Sequence, residues 1–109
     1  MTAVSLTDQE FRLAADRALE RAQQSLLTMA DDEGFEVELQ NGVLQIVFEE
    51  PAPTKFVVSP NAPVRQIWVS ALSRSFKLPW AADAGTFALD GEPLDQLLER
   101  LVRQQLSST

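Results

Sequence analysis

Cysteine and histidine are both missing from this sequence. Without cysteine there is no disulfide, no thiolate metal site and no sulfur nucleophile, and nothing points to an oxidising compartment. Without histidine the usual general base near neutral pH, the imidazole metal ligand and the Ser-His-Asp arrangement disappear together. Ser70, Ser73 and Ser75 therefore have no base to activate them. No run approaches the ~20 apolar residues of a membrane span. The opening MTAVSLTDQEF has neither a basic n-region nor an arginine-rich amphipathic presequence, so a soluble cytoplasmic protein is expected. Positive charge is also scarce. Nine Lys and Arg face 16 Asp and Glu for a net charge of −7, which argues against nucleic acid, whose phosphates need a basic footprint.

What is present suffices for a core. With 109 residues, 45% of them apolar, the chain is expected to form a single domain over 1–109 that folds without metal or disulfide staples. The charge is lopsided: residues 1–50 carry 11 acids against 3 bases, and residues 51–109 carry 5 against 6. An electrostatic partner should be cationic and should meet the first half.

Periodicity then divides the chain. TDQE at 7–10 fits a capping box, with Thr7 accepting from the amide of Glu10 while the Glu10 side chain reaches back. Phe11, Ala15, Ala18, Ala22, Leu26 and Met29 recur at helical spacing and predict a helix to about residue 30. In FEVELQNGVLQIVFEE, Phe35, Val37 and Leu39 alternate with polar residues. Asn41-Gly42 then suits a type I′ turn, and Leu44, Ile46 and Phe48 alternate again. PAP at 51–53 breaks the chain, TKFVVS reads as a third strand, PNAP turns it, and RQIWVSA is a fourth. Shorter strands are expected at RSFKL and TFAL. After Asp90-Gly91, Pro93 suits the first turn of a helix whose stripe is Leu94, Leu97, Leu98, Leu101 and Leu106. This order predicts an α+β two-layer sandwich, with N- and C-terminal helices packed on one face of a five- to six-stranded antiparallel sheet.

Two helices cover one sheet face only. The other, by period two, carries Glu36, Glu38, Gln45, Gln66, Trp68 and Ser70. Trp68 stands out there, because Ile67 and Val69 already supply the inward side of its strand and a one-residue slip would bury Gln66 and Ser70. A large, rigid, amphipathic side chain on a polar face has the profile of an interface anchor, with Gln66 and Asn61 as its polar rim. Trp80 and Phe87 are expected in or beside the core.

Asp31, Asp32, Glu33, Glu36 and Glu38 place five acids in eight residues, preceded by Asp8, Glu10, Asp16 and Glu20 on the helix. Asp8 and Glu10 fall in the first helical turn, where anions are favoured in any case. Asp16 and Glu20 are one turn apart and share a face. Asp31 and Asp32 oppose the helix macrodipole, and Glu36 and Glu38 repel each other on one strand face. A hard cation would relieve this crowding, with Ca²⁺, Mg²⁺, Mn²⁺ and iron the candidates. The ligands would be Asp8, Glu10, Asp16, Glu20, Asp31, Asp32, Glu33, Glu36 and Glu38, and exposed oxygens alone imply weak binding. A lysine- and arginine-rich protein surface would satisfy the same array.

These pieces together resemble the frataxin family, closest to its short bacterial form. The likeness rests on EF opening the first helix, the acidic run into FEVELQNGVLQIVFE, and KFVV followed by APVRQIWVSA, and it covers about residues 8–106. It implies an α+β sandwich that binds ferrous or ferric iron weakly through surface acids. It also implies association with cysteine desulfurase and the iron–sulfur scaffold, and modulation of cluster assembly. Docking would use the acidic ridge, Glu36 and Glu38 included, for the desulfurase and the sheet face of Trp68, Gln66 and Asn61 for the scaffold. A monomer without metal, no enzymatic activity beyond incidental iron oxidation, and no nucleic-acid or membrane partner complete the expectation. Two other readings stay open: a weak iron or divalent-cation carrier, and a generic acidic interaction module. The chain departs from bacterial members at QQSLLTMA (23–30), where further acids are usual, at Phe87, where another Trp is usual, and in the longer EPAPTK loop.

Overall fold

A computed structural model describes residues 6–50 and 52–107. The opening residues 1–5 and Pro51 of the expected PAP break lie outside that range. Helix α1 spans Asp8–Glu33, and its capping box forms as expected: the Glu10 amide donates to Thr7 Oγ1 at 3.1 Å and the Thr7 amide donates to Glu10 Oε1 at 2.9 Å. The helix runs one turn beyond the expected residue 30. It stops at Gly34, whose φ of 82° an L side chain adopts only with strain and whose amide closes on the Ala30 carbonyl at 2.8 Å. The buried stripe is Phe11, Ala15, Ala18, Leu19, Ala22, Leu26 and Ala30. Leu19 and Ala30 therefore join the stripe, while Met29 is only half-buried at its margin.

Seven strands follow: β1 Glu36–Gln40, β2 Val43–Phe48, β3 Thr54–Asn61, β4 Gln66–Ala71, β5 Arg74–Ala81, β6 Thr86–Leu89 and β7 Glu92–Pro93. They form one antiparallel meander in chain order. Asn41 and Gly42 both take positive φ, 54° and 74°, as a type I′ turn requires. The expected five or six strands become seven because the Asp90-Gly91 turn closes a two-residue strand before α2, Leu94–Leu106. Pro93 consequently sits at the N-cap rather than inside the helix. Two further strands are longer than the pattern suggested. β3 runs through Pro60 to Asn61, which pairs with Gln66 and leads into a 3₁₀ turn over Ala62–Val64 rather than lying in a turn itself. β5 continues through Pro79 and Trp80 to Ala81.

Both helices lie on one face of the sheet, so the α+β sandwich is as expected. The core between the layers joins Leu19, Leu26, Leu44, Ile46, Phe56, Val58, Ile67, Val69, Leu78, Leu97, Leu98 and Leu101, all fully buried. Phe87 sits edge-on between Phe11 (5.6 Å) and the half-buried Trp80 (5.3 Å), which locks the start of α1 over β5 and β6. On α2 the stripe also takes in Val102 and Gln105, and Leu106 is half-buried. The two helices meet through Ser25, whose hydroxyl donates to Glu99 Oε2 at 2.6 Å. No helix among the described residues is long and apolar enough to cross a membrane.

Candidate functional site

The strand register carries the open face. Cross-strand pairs Glu38–Gln45, Gln45–Val57, Val57–Ser70 and Ser70–Ser75 form one row, and Ser59–Trp68 and Trp68–Lys77 form the next. Glu36, Val47 and Lys55 make a third, and Asn61, Gln66 and Pro79 a fourth. Every residue expected on this face is there. Trp68 retains 37% of its surface, whereas Ile67 and Val69 are fully buried.

Trp68 is held rather than loose. Its indole N–H donates to Gln66 Oε1 at 2.9 Å, and the Lys77 ammonium lies 4.9 Å from the ring centroid. Gln66 is thus part of the mounting of the Trp as well as its neighbour, and Asn61 stands beside it across the β3–β4 ladder. The π-face carries a cation and the edge carries an amide, so the ring is oriented before any partner arrives. Half-buried Val47 and Val57 interrupt the polar residues on the same face. Val47 falls outward by the alternation that turns Leu44, Ile46 and Phe48 inward, but Val57 escaped the sequence argument because an isolated valine on a strand reads equally well as propensity or as surface. Lys77 escaped it because its place opposite Trp68 depends on the Leu72–Ser73 turn, which contains no Asn or Gly to announce it.

The acids separate into three groups. Asp8 and Glu10 already have partners: Asp8 Oδ1 is 2.6 Å from Arg65 Nη2, and Glu10 closes the capping box. Arg65 also donates to the Leu6 carbonyl at 2.9 Å and the Ala62 carbonyl at 2.7 Å, tying the start of α1 to the 3₁₀ turn. With Asp16, Arg12 and Phe11, this corner lines a cleft of about 430 Å³. Asp16 and Glu20 are exposed at mid-helix, separated from Asp31 by Gln24, Leu27 and Thr28. At 1.5 Å per residue, Glu20 and Asp31 stand about 16 Å apart along the axis. The densest group is Asp31, Asp32 and Glu33 in the last turn of α1, followed by Glu36 and Glu38 on β1. All five are exposed, and the last turn of α1 holds no basic residue.

Among the described residues no three acids converge closely enough to hold a metal ion. The array offers a field rather than a cage. It adjoins the open face, because Glu36 and Glu38 belong to both.

The family model of the frataxin-like domain matches residues 4–108. The iron-sulfur cluster assembly protein CyaY of Pseudomonas syringae pv. syringae is 33% identical over 106 residues, covering 94% of this chain and 91% of that protein. Mitochondrial frataxin of Caenorhabditis elegans is 35% identical over 104 residues, covering 90% of this chain and 76% of that protein. The solved frataxin of Psychromonas ingrahamii superposes with a TM-score of 0.65 over 95% of both chains at 20% identity, which shows a shared fold.

Proposed function

The chain belongs to the frataxin-like family, and from that premise we propose that it is a non-enzymatic regulator of iron–sulfur cluster assembly in the cytoplasm, docking on the scaffold through its open sheet face. The observation that carries the docking surface is Trp68, a large aromatic left 37% exposed and pre-oriented by Gln66 and Lys77. An exposed tryptophan already held in place on a solvated sheet offers a rigid anchor with little rotamer entropy left to lose on binding. The names of the relatives supply the pathway, since CyaY proteins are called iron-sulfur cluster assembly proteins.

The acidic group from Asp31 to Glu38 takes a second, cationic partner, and cysteine desulfurase is the one the family implies. Iron enters as cargo. Exposed carboxylates that do not converge on one point hold a hydrated cation weakly and release it readily. The role of Asp8 and Glu10 in iron binding is minor, because each would first have to give up Arg65 or Thr7.

The test is Trp68→Ala against a bacterial iron–sulfur scaffold by calorimetry. Far-UV circular dichroism and the urea midpoint should change little, and affinity should fall by about 2 kcal/mol or more. A folded variant that binds like the parent removes the sheet face from the proposal.

A further inference from the structure

β5 has an unpaired outer edge. Residues Arg74 to Pro79 pair with β4, but β6 meets β5 only at Trp80 and Ala81. No turn or loop backbone among the described residues bonds to that outer side. The two-residue turn at Leu72–Ser73 makes Ala71 and Arg74 the hydrogen-bonded pair that flanks it. Alternation along the ladder then turns the backbone groups of Phe76 and Leu78 toward β4. Those of Ser75 and Lys77 point outward, and Pro79 adds a carbonyl with no amide.

Edges of this kind are normally blunted by a lysine lying across them or by proline. Here Pro79 closes only one end. The Lys77 ammonium is drawn inward over Trp68, on the neighbouring strand away from the edge, and the Arg74 guanidinium lies 4.9 Å from the Phe76 ring centroid. The middle of the edge is left open. Its two charged side chains are both cations, and three residues of separation put them on opposite faces of the strand.

We infer that the outer edge of β5 is a strand-addition site for an extended segment bearing carboxylates three residues apart, one facing Lys77 and the other Arg74. Main-chain bonds to Ser75 and Lys77 supply the register, and the two charge pairs supply the preference, the exposed Lys77 ammonium swinging from the Trp68 ring toward the edge to form its pair. A second copy of β5 is a poor occupant because it brings the same cations together. β1 of a second copy is poor as well, because Glu36 and Glu38 lie two residues apart on one face and reach only Lys77. This goes beyond docking through Trp68, and its readout is separate: amide protection along β5 rather than affinity for a scaffold.

The probe is the blocked peptide Ac-Thr-Glu-Val-Thr-Asp-Val-Thr-amide, titrated into the intact chain by NMR at low salt. The Ser75 and Lys77 amides should shift and gain protection from exchange, while α1 stays silent. A peptide with both acids replaced by lysine should bind about tenfold more weakly, and N-methylation of alternate peptide amides should abolish the protection. Lys77→Glu should cancel the preference for the acidic peptide over the lysine one, since only Arg74 then still favours a carboxylate, and Ser75→Pro, removing one outward amide, should weaken binding with far-UV dichroism retained. Unchanged exchange at Ser75 and Lys77, equal binding of the N-methylated peptide, or protection of these amides by self-association without peptide would each overturn the assignment.

Discussion

Leu72 and Ser73 stand at φ of 55° and 59°, in the left-handed region that suits glycine or asparagine, yet neither residue is one of those. The turn they form sets Lys77 against Trp68 and so assembles the mounting of the exposed ring. Leu72 is retained by its half-buried packing against the core, whereas Ser73 is exposed and contributes no such contact. A left-handed L-residue costs roughly 1–2 kcal/mol, part of which glycine gives back through its freer unfolded chain. Ser73→Gly should therefore stabilise the domain by up to about 1 kcal/mol, seen as a higher urea midpoint at constant slope. A lower midpoint would show that the serine is not strained. Trp68 itself was legible in sequence: two fully buried neighbours in a period-two strand leave only one side for it.

At the scale of elements, the junction between β7 and α2 depends on one charged fork. Arg100 Nε and Nη2 donate to Glu92 Oε2 and Oε1 at 2.9 and 2.8 Å, closing the two-residue strand onto the helix. That hydrogen-bonded partner holds the Glu92 carboxyl below its ordinary value, against a smaller opposing push from burial. A depressed folded-state pKa means stability that is present above the unfolded glutamate range and lost as pH falls through the folded value. Urea midpoints measured from neutral to acid pH should thus decline more steeply for the parent than for Glu92→Gln, the two curves converging at the acid end. Parallel curves would mean the fork contributes nothing pH-dependent. The sequence showed the strong elements because each has its own local signature: the capping box for α1, Asn41-Gly42 for the first hairpin, the leucine stripe for α2. It did not show this fork, the Asp8–Arg65 tie or the extension of β5 past Pro79. The tie spans 57 positions along the chain, and Pro79 argues locally against a strand although the overhanging edge tolerates it.

Across the whole molecule the negative charge gathers where it does the fold least good. Asp31, Asp32 and Glu33 occupy the last turn of α1, at the negative end of the helix dipole, with no base in that turn to offset them. Glu36 and Glu38 continue the patch along β1, while the second half of the chain is close to neutral. Each acid at that terminus opposes the dipole by about 0.3–1 kcal/mol. If the patch were only for solubility, neutralising part of it would stabilise the fold and change nothing else. If it docks a cationic partner, the same change must separate stability from binding. The triple variant Asp31→Asn, Asp32→Asn, Glu33→Gln should raise the urea midpoint, by about 1 kcal/mol in total, and at the same time weaken association with a cysteine desulfurase. The loss should be greatest at low ionic strength, since the screening length falls from about 30 Å at 0.01 M salt to about 8 Å at 0.15 M. Iron-induced NMR broadening centred on Asp31 to Glu38 should shrink in the same variant. A more stable variant with undiminished desulfurase affinity at low salt would return the patch to a solubility role and leave Trp68 as the only docking anchor.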